Sequence, residues 1–309
     1  MDRILTVAQI IAPIFVTVFL GMLARKRNML KPEEVQGLQN FVLKFGLPCV
    51  LFNSCLGANV GPESMGVMLL ALPCVLLASL WAFLMGKKRF PYHNLPMLFS
   101  AQESGMLGIP LFMILFGAGE AYRMGILDIT QALIVFPTIA ILTAKIGEKP
   151  SPLQIVKNVL TSPLLLISLL GLVLNLTGIG AFLNRMGIGA ILTESTGFLA
   201  QPVSALMIFS VGYNLTISSE NRKPILQISL VHFLMYALIG GIIQLGLLLV
   251  PGVDATTRWA VLLYATLPAS YLAPGLGRSK EDIVVASGVC SLLTLVSLVF
   301  FCIIAILSA

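Results

Sequence analysis

Long apolar runs alternate along the chain with short breaks rich in charge, glycine and proline. A helix needs roughly 20 mainly apolar residues to cross a bilayer. The runs predict ten such spans, at 6–24, 34–57, 64–86, 94–116, 121–144, 153–177, 194–217, 224–250, 257–277 and 283–307. Proline and glycine interrupt three of them, 34–57, 94–116 and 257–277. A short amphipathic stretch over 181–192 predicts a piece lying at the membrane interface. Arg3 followed by Ile4 to Leu23 has the outline of a leader peptide. That run is long for one, however, and ends in Arg25-Lys26-Arg27 rather than a small-residue cleavage site, so it predicts a retained first span.

The break Gly147-Glu148-Lys149-Pro150-Ser151-Pro152 divides the spans into two sets of five. This predicts a first unit over 1–146, a cytoplasmic linker over 147–152 and a second unit over 153–309. An odd number of spans per unit forces the second to run with opposite topology. Prolines recur in step, Pro48 in the second span with Pro202 in the seventh, and Pro110 in the fourth with Pro268 in the ninth. The expected fold is therefore an all-α polytopic membrane protein, with ten transmembrane helices in two inverted five-helix repeats and broken helices 4 and 9 crossed. Backbone groups freed by a break cannot face lipid. Helix N-termini carry partial positive charge, so two broken ends meeting at mid-depth form an anion site, a plan used by secondary transporters.

Composition agrees. Of 309 residues, 58% are hydrophobic and 10% charged, against about 25% charged in soluble domains. So few charges cannot coat a water-facing globule of this size. The net charge of +6 lies in short clusters between apolar runs, which speaks for membrane orientation and excludes nucleic acid as the partner. The odd-numbered connections hold Arg25, Lys26, Arg27 and Lys31; Lys87, Lys88 and Arg89; Lys145 and Lys149; Arg222 and Lys223; Arg278 and Lys280. The opposite face holds Arg3, Arg123, Arg185 and Arg258. The asymmetry predicts a plasma membrane (bacterial inner membrane) protein with its odd connections in the cytoplasm and both termini on the extracytoplasmic side. Cys49, Cys55, Cys74, Cys290 and Cys302 lie in apolar stretches without a CxxC pair. They read as packing residues, not as a disulfide frame or metal site.

Candidate chemistry gathers in the fourth and ninth spans. Gln102, Glu103 and Ser104 stand at mid-span depth beside Gly105, Gly108 and Pro110, residues that weaken a regular helix. A carboxylate at that depth costs about 2.5 kcal/mol or more. Low dielectric favours its neutral form, making Glu103 either a coupling group, a cation ligand or a permanently protonated hydrogen-bonding acid. In the ninth span Pro268 and Pro274 bracket Ala269, Ser270 and Tyr271, and Ser270 and Tyr271 can donate hydrogen bonds to a solute. Asp128 and Gln131 share one helix face. Asp128 is either an inward coupling acid or a group solvated near the outer end of its span. Pro48 and Pro202 are candidates for the cavity wall, with polar lining from Asn40, Gln201, Tyr213 and Asn214. His232, alone in an apolar span, reads as a core residue.

Enzyme motifs are missing: there is no HExxH, GxGD or GxSG, and no GxxxxGK[ST] phosphate loop. With His93 and His232 the only histidines, neither a zinc site nor a Ser–His dyad is expected. The protein is not expected to be an enzyme or to carry a cofactor or metal; H+ or Na+ are the coupling ions to consider.

The stretch Asn40 to Phe52, with Leu47-Pro48 ahead of Leu51-Phe52, resembles the second span of the auxin efflux carrier family. Gly105-Met106-Leu107-Gly108-Ile109-Pro110-Leu111 is similar to that family's broken fourth helix. Leu267-Pro268-Ala269-Ser270, with Asp282 to Leu295, is similar to its last two spans. The resemblance implies ten spans in two inverted repeats, crossing of helices 4 and 9 at their breaks, and small carboxylates such as malate, malonate or auxin-like acids as solutes. Where the family commonly has Asn, this chain has Glu103, which repels an anion unless protonated; Pro274 also departs from the usual pattern. The expected function is secondary active transport of a small organic anion by alternating access, coupled to a proton through Glu103. The alternatives are an amino-acid exporter, a sodium-coupled symporter and a ligand-binding membrane sensor. The expected partners are the organic anion and the lipid bilayer, with a homodimer left open.

Overall fold

The computed structural model describes residues 2–58, 61–144, 153, 157, 161, 163–215 and 221–308, the side chains of 2–7 excepted. The linker over 147–152 and most of the first turns expected for the sixth span lie outside the described residues. Among these residues all regular structure is helical, apart from one isolated antiparallel bridge.

The helices, in chain order, are α1 (Asp2–Lys26), α2 (Pro32–Leu56), α3 (Pro62–Arg89), α4 (Leu95–Ser100), α5 (Ser104–Phe116), α6 (Ala121–Thr143), α7 (Pro163–Leu176), α8 (Ile179–Arg185), α9 (Ile188–Asn214), α10 (Arg222–Gly246), α11 (Ala255–Thr266) and α12 (Lys280–Ser308). Seven helical segments are long and apolar enough to cross a membrane. An eighth candidate joins α7 to α8 through a 77° bend. The two remaining expected spans, 94–116 and 257–277, are two of the three expected to be interrupted; the third, 34–57, is continuous. In 257–277, regular α-helix stops at Thr266, and only turns and a short 3-10 turn at Pro274–Leu276 follow. The stretch 181–192 is likewise not one piece: Gly187, at φ +79°, separates α8 from α9. That conformation costs glycine little and other residues more.

The prolines expected to mark these breaks are accommodated in two ways. Pro48 stays inside α2, because the preceding turn, Val42–Gly46, widens to a π-helix in which the Leu47 N–H reaches the Val42 carbonyl. Pro202 sits at a turn between two helical lengths of α9, at φ −76°. Pro110 is accommodated as Pro48 is: the preceding turn, Ser104–Gly108, widens to a π-helix in which the Ile109 N–H reaches the Ser104 carbonyl.

The helices pack in two groups. α1 lies along the second half of α9, and α7 along the second half of α2. Both contacts bring backbones together through small residues, as membrane helices do. A Cβ on Gly21 would stand 2.2 Å from the Phe209 carbonyl oxygen, and one on Gly171 would stand 2.5 Å from that of Phe52. The second group holds α3 to α6 and α10 to α12. Its ends near α4 are tied by Asn94, whose Nδ2 donates to the carbonyls of Ala273 (2.9 Å) and Asp282 (3.1 Å). The Asp282 carboxylate in turn accepts from the backbone N–H groups of His93, Arg278 and Ser279. His232 is buried between the Phe99 and Tyr236 rings, as a core residue.

Candidate functional site

After α4 the chain turns extended at Ala101 (φ −160°, ψ 150°) and stays non-helical through Glu103 (φ −79°, ψ 65°). After α11 it does the same from Leu267 (φ −66°, ψ 156°). The two extended stretches run antiparallel, with Gln102 facing Ala269. The Glu103 N–H donates to the Pro268 carbonyl at 2.8 Å, and the Ser270 N–H to the Ala101 carbonyl at 3.2 Å. Pro268 has no N–H to lose and contributes only its carbonyl. The breaks thus satisfy part of each other's backbone, which lipid could not do. Pro110 lies beyond its break, and the residues that meet are Ala101 to Glu103 with Pro268 to Ser270.

Gln131, from α6, completes the free edge. Its Oε1 accepts from the Gln102 N–H (2.9 Å) and its Nε2 donates to the Gln102 carbonyl (2.9 Å), as a third strand would. The same Nε2 reaches Ser104 Oγ at 2.6 Å and Asp128 Oδ1 at 3.1 Å. The Ser104 hydroxyl donates to Asp128. The Tyr264 hydroxyl donates to Gln131 Oε1 at 2.9 Å. Asp128 therefore belongs to the crossover and is not an isolated acid at a span end.

The Glu103 side chain bridges the two breaks. Oε1 accepts from the Met106 N–H (3.3 Å), and Oε2 from the Tyr271 N–H (2.6 Å). In this conformation the protein's own carboxylate occupies both N–H groups.

A cavity of about 430 Å³ opens beside the crossover, with Glu103, Asp128, Gln131, Asn40, Asn214 and Tyr271 in its wall. Of the expected residues, Gln102, Gly105 and Ser270 also line it, and Ser104 sits directly behind Asp128. Ala269 is fully buried in the bridge. Gly108 packs under the Leu267 side chain, where a Cβ would stand 2.6 Å from Leu267 Cδ1. Pro110 and Pro48 are buried in their own helices, outside this wall. Pro202 and Gln201 line a separate groove with Phe41 and Phe198. Tyr213 packs near the end of α1.

Several polar residues of the site carry no motif. Tyr264 hydrogen-bonds the crossover, and Thr294 meets the Tyr271 hydroxyl at 2.7 Å. At the opposite end of the bundle, Arg123 of α6 forms a forked pair with Asp254, at 3.0 and 2.8 Å, and also contacts Glu120 and Thr257. This end is opposite because α2, which starts beside the cavity, ends with the Ser54 hydroxyl on the Gly119 carbonyl, one turn before Arg123. Asp254 caps α11 through the Thr257 N–H at 2.8 Å. Burial alone would push its carboxyl up, but that N–H and the Arg123 guanidinium outweigh it and hold the group below its usual value.

A family described as membrane transport protein matches residues 6–307. The chain is also similar to an uncharacterized transporter from Methanothermobacter thermautotrophicus, 24% identical over 294 residues that cover 93% of each chain.

Proposed function

The chain belongs to the membrane transport protein family, the auxin efflux carrier family, and from that premise we propose that it is a secondary active transporter of small organic anions. The observation that carries this is the Glu103 carboxylate lying on the Tyr271 and Met106 N–H groups at the edge of a solute-sized cavity. It fills an anion site with an internal anion. Protonation weakens Glu103 as an acceptor and releases those donors, and a solute carboxylate takes its place. Proton and anion then bind together and cross together.

The two five-helix units, 1–146 and 153–309, are inverted repeats in this reading. The helix pairings support it: α1 with α9 and α7 with α2 exchange under the correspondence of first span to sixth and second to seventh. Those four helices form the scaffold, and the group carrying the crossover rocks against it. The cavity lies on the side of Arg25 and Gln36, and the basic clusters support reading that side as the cytoplasmic face of a cell-membrane protein. A second reading, a solute with a cationic group such as an amino acid, draws on Glu103 and Asp128 sharing one cavity.

The test is flux into proteoliposomes of labelled malate, malonate, indole acetate and alanine, under proton and sodium gradients. Proton-driven movement of an acid is expected. No gradient-dependent flux of any of them, in protein that binds one of them, would remove the transport reading.

The Arg123–Asp254 pair closes the far side in this scheme. Asp254 is half exposed, so Asp254→Asn should lower stability by only about 1 kcal/mol. It should nonetheless raise labelling of a cysteine placed at Ser64, at the Arg123 end, by a membrane-impermeant thiol reagent added outside. Since the folded carboxyl is held low, the pair persists at neutral pH and is lost only as pH falls through that lowered value. Unchanged labelling would show that the pair does not gate.

A further inference from the structure

A second cavity, about 330 Å³, adjoins the central one; Asn214 and Tyr271 belong to the walls of both. It is bounded by the last turn of α1, the end of α9 and the face of α12 that carries Ser287 and Thr294. Its charged lining residue is Arg25.

Arg25 is positioned by its surroundings, and none of the described residues neutralises it. One guanidinium nitrogen donates to the Tyr213 carbonyl at 3.1 Å, and the guanidinium carbon lies 5.9 Å from the centre of the Tyr213 ring. Tyr213 is itself fixed, its hydroxyl donating to the Leu30 carbonyl at 2.8 Å. Among the described residues the ion pairs formed are those of Arg123, so Arg25 has no carboxylate partner there. A guanidinium offers five donors, and the contact to Tyr213 uses one. An arginine that only sets membrane orientation needs neither a cavity nor a fixed rotamer.

The two adjoining cavities therefore have a basic end at Arg25 and an acidic end at Glu103 and Asp128, with Asn214 and Tyr271 in the walls of both. A planar guanidinium fork matches a carboxylate in two parallel hydrogen bonds. We propose that Arg25 is a solute-anchoring residue, which takes the carboxylate of the incoming solute in this second cavity before it passes Asn214 and Tyr271 to the crossover. The proposal rests on reading the crossover as a transport path, but binding at Arg25 is measurable without transport.

The experiment is calorimetric titration of the purified full chain with propionate, succinate and alanine, paired with proteoliposome flux of the same three. Arg25→Gln is expected to weaken binding of the preferred probe at least tenfold, and Arg25→Lys by a smaller factor, because a point charge lacks the fork. Ser287→Phe, which fills the cavity while leaving Arg25 in place, should weaken binding comparably, so the result does not depend on one variant. Wild-type affinity in both Arg25→Gln and Ser287→Phe overturns the proposal, as does failure of the wild type to bind any of the three probes. So does loss of binding on adding phosphatidylglycerol to the micelles, which would assign Arg25 to a lipid headgroup. Arg25-dependent binding without flux would overturn the transport reading and leave the anchoring site standing.

Discussion

Replacing Glu103 with glutamine flattens the pH dependence of solute movement. In the wild type, uptake driven from an acidic compartment should change by up to about tenfold per pH unit across the working range, the limit for one linked proton. Glutamine resembles protonated glutamic acid in shape but cannot release a proton. Its carbonyl oxygen still accepts from one of the two backbone donors, Tyr271 or Met106, so the crossover keeps its geometry. The other donor stays free for a solute carboxylate. The variant should therefore bind the anion at all pH values, exchange labelled for unlabelled anion across the bilayer, and fail to accumulate it against a gradient. Exchange without accumulation separates lost coupling from lost folding. Wild-type pH dependence in Glu103→Gln proteoliposomes would remove this residue from coupling and transfer the question to Asp128, the other acid in the cavity wall. Sodium-driven accumulation by the wild type at constant pH would replace the proton with sodium.

The parts of the fold that lie in uninterrupted apolar runs are legible along the chain. α1, α3, α10 and α12 fall where the runs predict, because a long apolar helix satisfies its own backbone and needs no information from elsewhere. The breaks are legible as existing but not as placed. Pro110 marks a lost hydrogen bond, yet the chain opens at Ala101 to Glu103, where no proline stands. What holds it open there is a strand-like partner from residues 268–270, a contact between distant segments that no local pattern encodes. Pro48 and Pro110 are each absorbed by a π turn, and their helices continue. Glu103 is conspicuous as an acid within an apolar span, so its importance can be read from residue type alone. Arg25 and Arg123 are not conspicuous in that way. Each counts toward the charge balance of a membrane face, and only folding shows that one meets Asp254, 131 positions away, while the other enters a cavity.

Gln131→Leu should do more damage to the fold than any change at the acids. The Gln131 side chain is buried, and leucine is one heavy atom shorter but still apolar filling, so the loss is chiefly polar. It removes the acceptor for the Gln102 N–H, one of the donors to the Gln102 carbonyl, a partner of Ser104 and the acceptor for the Tyr264 hydroxyl. The Gln102 carbonyl keeps the Ser104 N–H at 2.9 Å, whereas the Gln102 N–H and the Tyr264 hydroxyl are left without a described partner. A buried donor left unpaired costs about 1–3 kcal/mol, so the two together cost roughly 3 kcal/mol. The expected result is a markedly lower unfolding temperature in detergent and near-complete loss of transport. Gln131→Glu retains an acceptor for both orphaned donors and should recover most of the stability, without recovering transport, because it sets a third carboxyl beside Asp128 and Glu103. A stable, active Gln131→Leu protein would mean that the two breaks hold one another unaided. The crossover would then be a simpler structure, in which α6 contributes packing alone.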